Sequence, residues 1–492
     1  MDELLRDEEA TAGSGEAGVE AGVKPGTILT VAGTGEKRTE KGGKADGDGG
    51  KATAAPLQFP EGLAADRVGN WFFCDGQRVR RVGPDGTITT VAGNGHDGRG
   101  APSGQKATQF ALFRPTAVAV AQSGDLYIAE LVFPRVDKVI ADGTIWLVAG
   151  DGEDREEGPG KAHGDGGKAV NARLSSPRSL AVDQAGNLFL QDGLRVRKVD
   201  PGGTIATVAG NGTRTPSKDG GKATESGFEG VGGIAVDPEG NLYIAEPNGA
   251  RVRKVDINGV ITTVAGAGEP GFGGDGGKAT DARLDHPYGL ALDRFGNLYI
   301  EDFNNHRIRK VTPDGTISTM AGNGSEGGKG DGGPATEAQL NNVRGMGFDP
   351  AGNLLLVDQP ENRVRVVAGA AAPPPPKSRP VKTISGFSRL DNQHARPGEP
   401  FGQPLQVEAR DNNGKLVPKA QIRFEIVRNA TGSSFKTKPK PGPTADVQTD
   451  DDGLATAPEL LAGHTPGKFT VKVTAPGSKG HAPSTYTAHV DK

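Results

Sequence analysis

The chain of 492 residues has one cysteine, three methionines and two tryptophans, and aromatics make up only 5% of it. A lone thiol, Cys74, excludes an intramolecular disulfide framework and a cysteine-based zinc site. No run of about 18 apolar residues occurs, so no membrane-spanning helix is expected. The opening MDELLRDEEATAGSGEAGVEAGVK lacks the basic and apolar regions of a secretory signal, and residues 1–25 read as an acidic, disordered head. Basic stripes with interleaved aromatics are missing too, which removes nucleic acid from the expected partners. The eight histidines show no metal-ligand spacing, and no cofactor is expected. What the chain has in excess is glycine. Its 78 glycines exceed twice the average usage of roughly 7%, and 35 prolines accompany them. This is the composition of a turn-rich, all-β protein.

One phrase recurs: GTILTVAG (26–33), GTITTVAG (86–93), GTIWLVAG (143–150), GTIATVAG (203–210), GVITTVAG (259–266) and GTISTMAG (315–322). After each copy come a Gly-rich loop and three further short runs. The first runs are GLAAD, AVAVA, SLAVD, GIAVD, GLALD and GMGFD. The second are NWFFCD, DLYIAE, NLFLQD, NLYIAE, NLYIED and NLLLVD. The third resemble RVRKV. Connectors such as TPDGT supply tight-turn chemistry, because glycine takes a positive φ at no steric cost. Each unit therefore predicts a four-stranded antiparallel meander, and four-stranded units repeated around a centre make a β-propeller. The third run occurs six times but is followed by the phrase only five times; RVRVVAG (363–369) passes directly into AAAPPPPK. The orphan phrase at the N-terminus predicts that the sixth blade takes its outer strand from there, closing a six-bladed ring that would otherwise leave unpaired edges.

The pattern P-x-G-L-A-x-D-x-x-G-N-L-Y-I-x-D-x-x-N-x-R-I-R-K-V resembles the NHL repeat, and the TVAGNG…GDGG loops resemble those of bacterial and teneurin-like NHL propellers. The resemblance covers residues 26–369 and implies a propeller fold. NHL propellers mostly bind proteins, sometimes RNA, and a few are enzymes, so the fold alone leaves function open. Residues 370–382, AAAPPPPKSRPVK, read as a stiff linker. Residues 383–492 alternate in short strands. ARDNNGKLVPKAQIRFEI and TDDDGLATAPELLAG resemble a bacterial Ig-like module of the invasin/intimin type, which implies a β-sandwich serving as a stalk.

A residue present in every repeat is expected to maintain the repeat. The first arginine of the third run (Arg78, Arg135, Arg195, Arg251, Arg307, Arg363) is expected to ion-pair across the hairpin with the acid ending the second run. The loop aspartates Asp48, Asp165, Asp219, Asp275 and Asp331 read as turn residues. Calcium is the alternative for Asp46 and Asp48 in ADGDGG, although no EF-hand ladder follows them. No converging metal or Ser/His/Asp set of the lyase or lactonase kind is visible, so enzymatic activity is not expected.

Departures from the repeat carry more information. In the second repeat the polar loop becomes ELVFPR, placing Leu131, Val132 and Phe133 where solvent is expected, and the following loop carries Glu153, Asp154, Arg155, Glu156 and Glu157. An apolar centre with a charged rim predicts a partner-binding patch. The reading is a non-enzymatic head for a protein or glycan, on an Ig-like stalk, at a cell surface or secreted. A fibre or spike component of a phage-like injection particle, assembled in the cytoplasm, is the first alternative. A propeller enzyme of the lyase or lactonase kind is the second.

Overall fold

The computed structural model describes residues 22–38, 47–98, 100, 102–153 and 162–371, together with strand segments between 383 and 490. The chain divides into two units, Met1–Ala372 and Pro373–Lys492. Among the described residues of the first unit, every strand belongs to one of six antiparallel sheets. In the first repeat Pro60–Ala65, Trp71–Asp75, Arg78–Val82 and Ile88–Ala92 pair in chain order. The third, fourth and fifth repeats follow the same order. The second adds Ser103–Lys106 outside its fourth strand, Thr144–Ala149.

The sixth sheet holds Val343–Phe348, Leu354–Asp358 and Arg363–Val367, and its outer strand is Ile28–Ala32. The register there, Ile28↔Val367 and Thr30↔Arg365, shifts before Ala32↔Val364. A shift at the same place separates Val252↔Ala265 from Arg253↔Thr263 in the fourth sheet. The orphan phrase thus takes up the geometry of its five copies.

The turn between first and second strands is set by an aspartate. Asp66, Asp183, Asp237, Asp293 and Asp349 each accept the backbone N–H and the side-chain amide of an asparagine four residues on. Such a side-chain bond fixes the reversal locally.

The core is divided among neighbouring sheets. Trp71 and Phe73 of the first sheet pack with Leu355 and Val357 of the sixth, and Phe72 and Cys74 pack with Val118 and Ile128 of the second. The first strands meet in succession around a centre. They approach closely: a Cβ on Gly345 would fall 2.7 Å from the backbone of Gly62. A side chain at either position would force the strands apart.

In the second unit the strands form a sheet of Thr383–Gly386, Gln406–Arg410 and Leu454–Thr456, a five-stranded sheet containing Gln421–Val427, Gly467–Thr474 and Ser484–Val490, and a short pair. Ile422, Phe424 and Ile426 are buried while Arg423 between them is exposed, the period of a half-covered strand. Arg423 makes two parallel bonds to Asp446, of 2.7 and 2.8 Å.

Removing residues 1–34 takes away the outer strand of the sixth sheet and exposes Leu354–Asp358 and Arg363–Val367. The truncated chain should melt at least about 10 °C lower or aggregate, as expected when several kcal/mol are lost. An unchanged melting temperature in calorimetry would show that this strand is dispensable.

Candidate functional site

The second arginine of the third strand organises five of the six sheets. Arg80, Arg197, Arg253, Arg309 and Arg365 are all fully buried. Each lies between two acids. One ends the second strand: Asp75 at 2.8 Å, Asp192 at 2.9 Å, Glu246 at 3.6 Å, Asp302 at 3.1 Å and Asp358 at 3.7 Å. The other is the loop aspartate, Asp48, Asp165, Asp219, Asp275 or Asp331, at 2.6 to 3.0 Å. Outer-strand threonines Thr207, Thr263 and Thr319 donate to that same loop carboxylate, and in the sixth sheet Thr30 of the N-terminal strand does so. A buried guanidinium is tolerable only with matched charge and bonds, and its planar fork supplies both.

This arrangement adds a second paired arginine to the first. Arg135, Arg251 and Arg363 do pair with Glu130, Glu246 and Asp358, at 2.6, 2.8 and 4.0 Å. Arg78, Arg195 and Arg307 reach the carbonyls of Asn94, Asn211 and Asn323 in the next loop. The arrangement also shows what the loop aspartates do. Asp48, the calcium candidate, already has Arg80 as counter-ion, and Asp46 lies outside the described residues.

In the second repeat the whole clamp is exchanged. Asp137 stands where the arginine would be and Leu147 where the threonine would be, and the preceding loop supplies the strand Ser103–Lys106 instead of an aspartate. Asp137 is buried beside Glu130, with Arg135 at 3.2 Å. Burial and then Glu130 hold its carboxyl well above the usual range. Beside this sheet a groove of about 470 Å³ is lined by Trp146, Tyr127, Lys138, Val170 and Asp200.

Five of the six terminal acids have a second task, and it builds the site. The other oxygen of each accepts the backbone N–H of the residue 17 positions earlier: Gln58, Phe113, Ser175, Glu229 and Asp285. The residue after each of these has positive φ: Phe59, Arg114, Ser176, Gly230 and His286, with Asn342 in the sixth repeat. Two residues further on, the inner strands bring Glu61, Thr116, Arg178, Gly232, Tyr288 and Arg344 to one end of the central channel. The framework is the same in every repeat, yet these residues differ. Glycine would serve at the left-handed position, as Gly230 does. Five repeats carry a side chain there although it costs on the order of 1 kcal/mol.

Thr116 is buried and donates to the Pro177 carbonyl at 3.1 Å. Around the opening remain Glu61, Arg178, Tyr288 and Arg344. The Arg344 guanidinium lies 5.6 Å from the Tyr288 ring centre and 5.7 Å from that of Phe303. Burial raises the Tyr288 hydroxyl, which also feels Arg178, Arg344, Glu301 and Glu61. Gln359 donates to Glu61 at 2.5 Å. Behind the opening, Glu301 is buried; its Oε2 accepts the Gly289 N–H at 3.0 Å and its Oε1 has no partner. Burial pushes this carboxyl up to about 8, against the lowering effects of the Gly289 N–H and Arg344. A search for converging histidines misses this group. The available signal was the position just before the first run, occupied by a different residue in nearly every repeat.

The predicted patch in the second repeat is only partly assembled. Leu131 is buried, 8% exposed, and so offers no surface. Val132 is 43% exposed. Phe133 is half-buried, edge-to-face with Phe113 at 5.4 Å. Glu153 is exposed, and Asp154, Arg155, Glu156 and Glu157 lie outside the described residues.

Two substitutions separate the clamp from the opening. Asp302→Asn leaves the buried Arg309 short of charge and should cost about 3–5 kcal/mol in urea unfolding. Asp275→Ala, at a side chain 41% exposed, should cost no more than about 1 kcal/mol. Equal losses would contradict the asymmetry. Glu301 holds its proton more tightly when folded, at about 8, than at the ordinary 4.5. Its contribution to stability is therefore complete at low pH and declines as pH rises from the lower value to the upper. Glu301→Gln should gain in melting temperature relative to wild type between about pH 5 and about pH 8. A constant difference would exclude a neutral buried carboxyl.

The family model for the teneurin NHL domain matches residues 24–103, 147–218 and 267–329. Teneurin-3 of Mus musculus is 29% identical over 382 residues, covering 70% of this chain and 13% of the relative. Teneurin-3 of Danio rerio is 29% identical over 492 residues, covering 93% and 16%. The chain thus spans only a small part of these relatives' length. Among solved structures, an auxiliary nutrient binding protein from Bacteroides thetaiotaomicron is similar with TM-score 0.48 and 16% identity, over 69% of this chain and 75% of that one. A gluconolactonase from Xanthomonas campestris gives TM-score 0.40 and 16% identity, over 69% and 88%. Likeness at that level carries no argument about ligand or activity. The repeats, the sheets they form and the matched family model together show that the first unit is an NHL-repeat β-propeller.

Proposed function

We propose that the propeller is six-bladed, closed by its N-terminal strand, and works as a non-enzymatic binding head for a protein or glycan at a cell surface or in a secreted assembly. The second unit is then an Ig-like β-sandwich serving as its stalk. Closure is supported by the repeat-like register of Ile28–Ala32 and by Thr30, which donates to Asp331 as Thr319 donates to Asp275. The sandwich is supported by two larger sheets and by the alternating burial of Ile422, Phe424 and Ile426.

One observation carries the binding reading. Within a framework repeated from blade to blade, the positions that vary gather at one end of the channel. Framework residues are occupied with holding blades, whereas Glu61, Arg178, Tyr288 and Arg344 are placed by it and have no shared structural task. Asp137 and Asp358, two acids with raised proton affinity, are fully buried among the arginines. A substrate at the opening would not touch them, and Glu301, the raised acid behind the opening, is itself only 3% exposed, which favours recognition over catalysis.

The test is binding without turnover. Labelled full-length protein should bind saturably to members of a protein and glycan array, displaced by unlabelled protein, and mass spectrometry should recover the bound member unchanged. Conversion of more ligand than the protein present would sink the reading, as would an array that shows no saturable binding at all.

A further inference from the structure

Neither Arg178 nor Arg344 has an ion-pair partner among the described residues, although ten of the arginines at the clamp and adjacent positions are bonded to acids or carbonyls. Arg344 is instead held between two aromatic rings, which orient a guanidinium without neutralising it. Arg178 is exposed beside the same opening, and both act on the Tyr288 hydroxyl. Phe59, 51% exposed, occupies the left-handed position of the first blade, next to Glu61 and its partner Gln359. The opening therefore combines two unneutralised cations, a half-exposed aromatic ring that carries the Lys37 ammonium 4.0 Å from its centre, and carbonyl-type acceptors.

Resting on the reading of the propeller as a binding head, we propose that this end of the channel binds an acidic sugar. Its carboxylate engages Arg344 and Arg178, its ring lies against Phe59 or Tyr288, and its hydroxyls donate to Glu61 and Gln359. A planar guanidinium matches a carboxylate in two parallel bonds. The Glu61 carboxylate argues against a run of acidic side chains, which it would repel, and for a ligand with one charge among hydroxyls, which it can accept. Glu301 sets a limit on this site. While it keeps its proton, Arg344 stays free for the ligand; once ionised, it competes for that guanidinium. The charged groups acting on Glu301 are Arg344 from the sixth blade and Asp302 beside it, while Glu61 and Arg178 act on the neighbouring Tyr288.

Titration calorimetry of the full-length protein with trigalacturonate, trigalactose and a tri-glutamate peptide tests the proposal. Trigalacturonate should bind, with trigalactose and the peptide at least about tenfold weaker. Arg344→Gln and Arg178→Gln should each weaken trigalacturonate by about tenfold or more at unchanged melting temperature, with Arg344→Lys retaining part of the affinity. Wild-type affinity should fall from about pH 6 to about pH 9, and Glu301→Gln should flatten that fall. Absence of trigalacturonate binding, equal or tighter binding of the peptide or of trigalactose, or indifference to both arginine variants overturns the acidic-sugar site. Saturable array binding alongside such a failure leaves the binding head standing and removes only this ligand. Loss of both removes both.

Discussion

A guanidinium buried between two acids is the constraint on which the rest of the propeller depends. Arg309 ties the third strand to Asp302 on the second and to Asp275 in the incoming loop, and Thr319 holds that loop carboxylate from the outer strand. One side chain thus joins three strands and a connection. Hydrophobic burial between blades is non-directional and could be met by several registers. A charged group with no access to water accepts only the register that satisfies it, so the clamp selects one geometry from those the core would allow.

The same interaction reaches the end of the channel proposed to bind. The acid that takes the arginine with one oxygen takes a backbone N–H with the other, and this bond fixes the left-handed residue ahead of the inner strand. The positions proposed to bind are therefore set by the framework behind them. The side chains at the opening differ from repeat to repeat, and Arg344 sits between Tyr288 and Phe303 without an acid. The second blade shows the clamp behaving as a unit. Arginine, loop aspartate and threonine are all replaced there, leaving Asp137 beside Glu130 and an added strand over the outer edge.

Much of this was legible in the residues. Strand patterning and turn chemistry act locally, so six meanders follow from period-two runs and Asp-Gly connectors, and the unpaired opening phrase follows from counting them. The turn role of the loop aspartates was half the truth, because their counter-ions lie over 30 residues away: Arg80 for Asp48, Arg309 for Asp275. Expecting the pairing of the first arginine and not of the second was also half the truth, for a related reason. Both alternate residues of the run face the same side, and only three-dimensional packing tells which of them is fully enclosed.

Sequence by itself determined the kind of blade, its number of strands and the phrase that lends the sixth sheet its edge, since each rests on contacts within or next to a repeat. Tertiary structure decided which side chains meet. It buried Leu131 and half-buried Phe133 against Phe113, diminishing a patch that looked apolar and exposed in one dimension. It also drew Glu61, Arg178, Tyr288, Glu301 and Arg344, spread over more than 280 residues, into one electrostatic neighbourhood. No local rule encodes that gathering, because it is the rotation of each blade against the next that carries equal positions in the repeat to a common centre.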